Sequence, residues 1–191
     1  MLYLVLGLVL FLGTHSLRIV AEPWRLRTIE RVGVQRWRGM YSVAAIAGFL
    51  LIVKGYGMPD TLTAPLYELP VWARWVTVGL MLPAAVLLVA AYVPGTHIKQ
   101  AVGHPMMLGT RIWAGAHLLA NGRAADVALF GGFFAWALFA HHAASARDRA
   151  AGTTYPARGW GRDMAAVVVG VLLWSAILGY LHRWIGGIAL M

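Results

Sequence analysis

Residues 164–182 read MAAVVVGVLLWSAILGYLH, a run of apolar and small residues without a single Lys, Arg, Asp or Glu. A helix of about 20 such residues crosses the hydrocarbon core of a bilayer. Five further segments share this mostly apolar character: Met1–Ala21, Gly39–Gly57, Val71–Val93, His104–Ala120 and Arg123–His141. The sequence therefore predicts an all-α, polytopic membrane helix bundle with about six transmembrane helices, forming a single domain over residues 1–191.

Composition supports the membrane assignment and excludes several other classes of protein. Hydrophobic residues make up 60% of the chain and charged residues 12%, whereas a soluble domain has roughly 45–50% and 25%. The absence of cysteine excludes disulfide scaffolds, zinc ribbons, iron–sulfur clusters and thiol nucleophiles. The net charge of +9 is read here as basic loops beside apolar spans, so we expect a lipid bilayer and no nucleic acid as partner.

The distribution of arginine predicts the orientation of the spans. The linker Glu22–Arg38 contains five arginines, whereas Met58–Pro70 contains no basic residue. The positive-inside rule places the first of these linkers in the cytoplasm, together with the basic linkers Pro94–Gly103 and His142–Asp163. Both termini are then predicted to lie outside. The linker His142–Asp163, which mixes turn residues with charge, is predicted to be the most mobile segment.

Histidines are the obvious candidates for chemistry, since neutral imidazole binds metals and titrates near neutral pH. His15, His104 and His117 lie within predicted spans, where polar groups are costly and tend to mark a site. The other four lie at span ends, where an imidazole reaches headgroups or water; they are His97, His141, His142 and His182.

Arg111 lies near the middle of the fourth predicted span, and no acidic residue lies at its depth. A central arginine costs about 2.5–3.5 kcal/mol on insertion scales, which implies a partner. At 100° per residue Arg111 shares a helical face with His104 and Gly115, whereas His117 is rotated away by about 140°.

Haem would satisfy this combination of residues. An imidazole binds the iron, a small residue lets the flat macrocycle approach a helix, and an arginine pairs with a propionate. Without cysteine the haem is not attached covalently, so it is of b type. The alternative is that Arg111 reaches the interface or backbone carbonyls and that the histidines are hydrogen-bonded between helices.

Other functions have weaker support. The sequence has no motif typical of metalloproteases, serine hydrolases or nucleotide-binding loops. A cofactor-free assembly partner in a larger membrane complex is a separate hypothesis, because small residues permit close helix packing. The pairs Gly131-Gly132 and Gly186-Gly187 would serve such contacts.

Several unlinked motifs resemble the NnrU family of bacterial membrane proteins, in the order of that family and over most of the chain, weakening after about residue 145. The stretch GLVLFLGTHSLR at residues 7–18 resembles its N-terminal signature. Further matches are Tyr41-Ser42, Lys54-Gly55-Tyr56, Leu66-Tyr67, Ala91-Tyr92-Val93-Pro94-Gly95, Ile98-Lys99, His104-Pro105-Met106-Met107 and Ala116 to Gly122.

The resemblance implies a haem b-binding protein of the bacterial inner membrane, associated with nitrite and nitric oxide metabolism. It implies His15 and His104 as axial iron ligands and His117 as a possible substitute. The family is also similar to the plant 15-cis-ζ-carotene isomerase, so a carotenoid cis–trans isomerase acting on a polyene is the alternative. A thiol has been implicated at the haem of the plant enzyme, and a ligand switch through cysteine cannot occur in this chain.

Overall fold

The computed structural model describes residues 1–58 and 65–182, and this part of the chain contains helices and no strand. The helices are α1 (Leu2–Val20), α2 (Glu22–Val32), α3 (Val34–Tyr56), α4 (Trp72–Ala90), α5 (His97–Val102), α6 (Pro105–Leu118), α7 (Ala124–Ala151) and α8 (Trp160–Ala176), the last continuing as a π-helical turn at Ile177–Leu181. The predicted all-α fold is confirmed.

Among the residues that the structure describes, five helices are long and apolar enough to cross a membrane: Leu2–Val20, Val34–Tyr56, Trp72–Ala90, Ala124–Ala151 and Trp160–Leu181. The remaining predicted span, His104–Ala120, forms α6, which has only 14 residues. At 1.5 Å per residue α6 is about 21 Å long, short of a hydrocarbon core of about 30 Å. The structure therefore supports five spans, and a count of six is not confirmed.

Large apolar side chains on these helices face outward. On α3, Val43, Ile46 and Leu50 are 70%, 58% and 60% exposed, and their spacing of three and four residues places them on one stripe. Apolar surface of this extent on a helix needs an apolar environment. The exposed stripe is thus accounted for by lipid, as the composition predicted.

Two predicted linkers contain more helix than expected. The basic segment Glu22–Arg38 forms α2 and the first turn of α3, with a break at Gly33, whose φ is +85°. The segment His142–Asp163 is not a loop over its whole length, because α7 continues to Ala151 and α8 begins at Trp160. The sequence after His141 is rich in alanine and arginine, which favour helix, so the connection shrinks to residues 152–159.

Contacts divide the chain into two compact units. Unit 1 comprises Met1–Leu69 and Asn121–Trp136, and unit 2 comprises Pro70–Ala120 and Ala137–Met191. In unit 1, α1 packs along α3; in unit 2, α4 packs against α6 and α8. The first half of α7 belongs to unit 1 and the second half to unit 2.

Glycines allow the helices of each unit to approach closely. In unit 1 a Cβ on Gly7 would lie 2.6 Å from the Ile52 nitrogen, and a Cβ on Gly48 would lie 2.7 Å from the Phe11 nitrogen. In unit 2 a Cβ on Gly170 would lie 2.7 Å from the Val86 Cα. Backbones this close leave no room for a methyl group, so these positions require glycine.

The glycine pairs that the sequence suggested are different. Gly131 has nothing near its would-be Cβ, and Gly132 has only ordinary contacts with Leu12 and Leu8. Neither is needed for packing within the part of unit 1 that the structure describes. Gly186-Gly187 lies outside the described residues. A contact of these pairs with an assembly partner stays a prediction.

Candidate functional site

The predicted site residues fall into both units. His15 lies on α1 in unit 1, whereas His104, Arg111 and His117 lie at or on α6 in unit 2.

His15 is held in a defined orientation by its own helix. Its Nδ1 lies 2.7 Å from the carbonyl oxygen of Phe11, one turn earlier. Because a carbonyl only accepts hydrogen bonds, Nδ1 carries the proton and Nε2 carries the lone pair. Within residues 1–58 and 65–182 no hydrogen bond or ion pair occupies this Nε2. A histidine that donates one ring N–H to a backbone carbonyl presents the other nitrogen in the manner of a metal ligand.

Aromatic rings surround His15 within unit 1. The ring centroids of Phe11, Tyr41 and Trp136 lie 4.2, 5.4 and 6.0 Å from that of His15. The indole nitrogen of Trp136 is buried and has no hydrogen-bond partner in the described structure. An unpaired buried N–H is costly in a protein, and it lies beside the imidazole that has an unoccupied nitrogen. This part of unit 1 therefore offers an unpaired indole N–H and an unpaired imidazole nitrogen in an aromatic environment.

His117 has the same backbone contact as His15. Its Nδ1 lies 2.9 Å from the Trp113 carbonyl oxygen, and the two rings are 5.3 Å apart. The contact again assigns the proton to Nδ1. His117 is thus oriented as its role of substitute ligand requires, and that role stays a prediction.

His104 occupies the N-cap position of α6, directly after Gly103, whose φ is +66°. Its Nε2 lies 2.9 Å from Oδ2 of Asp148, yet the angle is not that of a hydrogen bond, and this nitrogen is buried. The Tyr155 hydroxyl donates to the same carboxylate over 2.8 Å. A carboxylate beside one ring nitrogen is the partner that orients many metal-binding imidazoles.

His141 faces this cluster from α7. Its ring centroid lies 5.9 Å from that of His104, and it has Arg111 as an electrostatic neighbour. His141 therefore neighbours both His104 and Arg111, which were predicted to share one helical face. From the sequence, His141 was expected at the membrane–water interface. Seven residues separate His141 from Asp148 on α7, so both lie on one face of that helix.

Arg111 makes no hydrogen bond or ion pair with any residue in the described part of the chain. The acidic residues near α6 are engaged by other groups, since Asp148 accepts from Tyr155 and Asp163 accepts from His97. That Arg111 lacks a carboxylate partner at its own depth stays a prediction. A guanidinium without a counterion in a partly buried position is suited to an anionic group of a ligand.

No group of three or more His, Asp or Glu side chains is arranged to hold a metal ion among the described residues. The histidines therefore offer single nitrogens rather than a metal cage made by protein alone. Haem iron needs only one or two axial ligands from the protein, because the macrocycle supplies the other four. The donor set fits haem better than a bare divalent ion.

Comparison with known families decides the relationship of the chain. The sequence profile described as NnrU protein matches residues 3–190. The chain belongs to the NnrU family. Neither the comparison with curated proteins nor the comparison with solved structures gave a match.

Two polar clusters of this NnrU family member were missed in the sequence. In unit 1, Asp126 is 1% exposed and accepts hydrogen bonds from the guanidinium of Arg123 and the hydroxyl of Tyr56. The hydrogen bond from the Arg123 side chain to Asp126 raises the pKa of Arg123, so this guanidinium is charged at every pH at which the protein folds. The spacing of three residues between Arg123 and Asp126 was the only sequence signal.

In unit 2, Asp163 joins two segments that are far apart in the sequence. It accepts from Nδ1 of His97 over 2.7 Å and from the backbone N–H groups of His97 and Ile98 over 3.1 and 3.0 Å. Trp160 stacks on the His97 ring with 4.0 Å between centroids. His97 thus acts in the structure by joining α8 to α5, and no sequence pattern links residues this far apart.

Proposed function

We propose that this NnrU family protein binds haem b in the bacterial inner membrane, and that the haem responds to redox state or to a diatomic gas in nitrite and nitric oxide metabolism. The observation that carries the proposal is His15. Its Nδ1 proton is committed to the Phe11 carbonyl, and its Nε2 has no partner among the described residues. This is the arrangement expected of an axial ligand.

The surroundings of His15 support binding of a flat, apolar ring. Tyr41 and Trp136 approach His15 edge-on, with interplanar angles of 64° and 88°, and aromatic groups pack favourably in such arrangements. The buried indole N–H of Trp136 would gain a hydrogen bond from an acceptor on a ligand, which removes the cost of leaving it unpaired.

Unit 2 contributes the other predicted ligand, His104. Asp148 lies against its Nε2 without a hydrogen bond, so its Nδ1 is the nitrogen that would be available to iron. Arg111 would supply a positive charge for a propionate. These residues define a second candidate position for a haem ligand. Single substitutions of His15 and His104 show which of the two positions holds the haem.

Bound haem supplies an iron whose redox state and open coordination govern binding of diatomic gases. The protein has three tasks. The imidazole of His15 in unit 1, or that of His104 in unit 2, would hold the iron, Arg111 would neutralise carboxylate charge, and the apolar rings around His15 would exclude water. Exclusion of water strengthens every electrostatic interaction within the site.

The test is a reduced-minus-oxidised absorption spectrum, with haem extraction, on protein purified from haem-sufficient cells. We expect the Soret and α bands of a b-type haem, and a shift of the Soret band of reduced protein on addition of nitric oxide. The variant His15→Ala should lose most of the haem. His104→Ala should lose it as well if this residue is the second ligand, and His117→Ala should lose it if His117 takes that place.

The matched control is His142→Ala, because His142 is an exposed histidine on α7. It should keep the haem content of the unsubstituted protein. Far-UV circular dichroism verifies that each variant retains its helices. If well-folded protein purified from haem-sufficient cells contains no haem, the proposal is overturned and a cofactor-free assembly partner is favoured. Haem whose spectrum ignores both reductant and nitric oxide would overturn the proposed response.

A further inference from the structure

A groove of about 190 Å³ lies at one end of unit 2, where the connection after α4 meets the connection before α8. Its walls carry two cations, a phenol ring and a hydroxyl, contributed by Lys99, Arg158, Tyr155 and Thr154. The groove is much larger than the space of about 10–15 Å³ that one water needs by the same measure. It adjoins the His104 cluster, because the ring of Tyr155 lies 5.9 Å from that of His104, but none of the haem ligand candidates lines it.

The two connections that form the groove are fastened together. The Arg158 N–H donates to the Gly95 carbonyl over 2.8 Å. The Arg158 side chain packs against Gly95, where a Cβ would lie 2.9 Å from the Arg158 Cγ and where φ is +75°. Asp163 anchors the start of α5 through the backbone of His97. The walls of the groove are therefore in place without a ligand.

The cations of the groove have no acidic partner in the part of the chain that the structure describes. The Lys99 ammonium lies 5.1 Å from the centre of the Tyr155 ring, and no ion pair or side-chain hydrogen bond is formed by Lys99 or Arg158. The two nearby carboxylates are already used, since Asp148 accepts from Tyr155 and Asp163 from His97. The groove thus presents two uncompensated positive charges.

From this geometry we propose that the groove binds a phosphate group, carried either by a lipid headgroup or by a soluble phosphate. A guanidinium pairs with two phosphate oxygens, and an ammonium adds a point charge from a different wall. The Thr154 hydroxyl offers a further donor. The groove lies after the end of the candidate span α4 and before the beginning of the candidate span α8. Lipid headgroups lie at the depth where spans end.

The test uses the full-length protein, purified in non-ionic detergent and stripped of lipid. One arm measures binding of inorganic phosphate by isothermal titration calorimetry at constant ionic strength, with chloride as the comparison anion. The other arm counts phosphatidylglycerol molecules retained in native mass spectrometry after purification from mixed micelles. Charge-assisted hydrogen bonds to phosphate imply that Lys99→Gln and Arg158→Gln each weaken binding about ten- to a hundredfold.

Two controls accompany these variants. Arg149→Gln removes an exposed arginine of α7 that does not line the groove, and it should bind as the unsubstituted protein does. Lys99→Arg keeps the charge and should bind within a few-fold of the original. Circular dichroism verifies folding, and Arg158→Gln, at an exposed position, tests the proposal independently of Lys99.

Phosphate binding that both Gln variants lose would support the proposal with a soluble ligand. Retention of phosphatidylglycerol without phosphate binding, lost in the same variants, would support it with a lipid headgroup. Binding in neither arm, or binding that the Gln variants leave unchanged, would overturn it. All measurements are made on haem-free protein as well, so that failure here is distinguished from failure of the haem proposal.

Discussion

Asp126 in unit 1 and Asp163 in unit 2 are both buried carboxylates in the first turn of a long helix, yet their partners differ. Asp126 is paired with a guanidinium three residues away, through two contacts of 3.0 Å. Asp163 has no cation but an imidazole and two backbone N–H groups from another helix. In unit 1 the charge of Asp126 is balanced by a nearby arginine, whereas in unit 2 Asp163 fixes the connection that leads into α5.

The difference has a consequence for the surrounding charge. Because Asp163 and Asp148 are bound by neutral or ring donors, nearby Lys99 and Arg158 are left without a carboxylate. The basic residues of unit 1 near Asp126 are not left in this way, since Arg123 is paired. Two carboxylates of the same type at similar helix positions therefore produce a neutral cluster in one unit and a cationic groove in the other.

The largest effect is expected from Asp126→Ala. The substitution leaves Tyr56 without its acceptor and Arg123 without its counterion, which should lower the free energy of unfolding by about 2–3 kcal/mol. The value is below that of a fully buried pair because the Arg123 side chain is 47% exposed. Denaturation in mixed detergent micelles, followed by circular dichroism, measures it. A change below about 0.5 kcal/mol, typical of surface sites, would show that this acid is not a structural centre of unit 1.

Asp163→Ala should lower the free energy of unfolding less than Asp126→Ala does, since it removes three hydrogen bonds but leaves no unpaired cation. The effect should be local. Hydrogen exchange should accelerate at His97 and Ile98, whose N–H groups lose their acceptor, and not in α1 or α3. Uniform acceleration across both units would contradict the loop-building role of Asp163.

Gly55→Ala tests whether helix packing positions Tyr56 for Asp126. A Cβ at Gly55 would collide with the backbone of Leu4, and overpacking of this kind costs about 1–3 kcal/mol. Thermal unfolding in detergent reports the loss. The matched control is Gly131→Ala, whose methyl group meets open space and should stabilise α7 by about 0.5–1 kcal/mol. Equal effects of the two substitutions would remove the packing argument.

The smallest effect is expected from Tyr56→Phe, which removes one hydrogen bond of 2.7 Å to Asp126. We expect a loss of about 1 kcal/mol in the unfolding free energy. In the background of Asp126→Ala the same substitution should have almost no effect, because the acceptor is gone. A full effect in both backgrounds would assign the contribution of Tyr56 to ring packing against Phe130 instead.

Local features of the fold were predictable from the chain. Apolar runs near the length of a bilayer crossing gave five of the spans, since hydropathy and helix length are properties of neighbouring residues. The linker after His141 was misread, because its charged residues suggested a loop while its alanines continue α7 to Ala151.

The partners of the polar residues could not be predicted. Tyr56 and Asp126 are 70 positions apart, and His97 and Asp163 are 66 positions apart. A polar side chain at a helix end satisfies the same sequence pattern whether it faces headgroups or another helix. His97 was interpreted as interfacial for this reason, and only packing places it against an acid.

The sequence by itself determined the helical class and the membrane environment, because these follow from composition and from periodicity within one helix. Tertiary structure alone decided which acids are consumed by structural contacts and which imidazole nitrogens are left available. It also decided that Lys99 and Arg158 share a groove. The physical reason is that charge compensation depends on distances between side chains from separate elements, and those distances are set by packing.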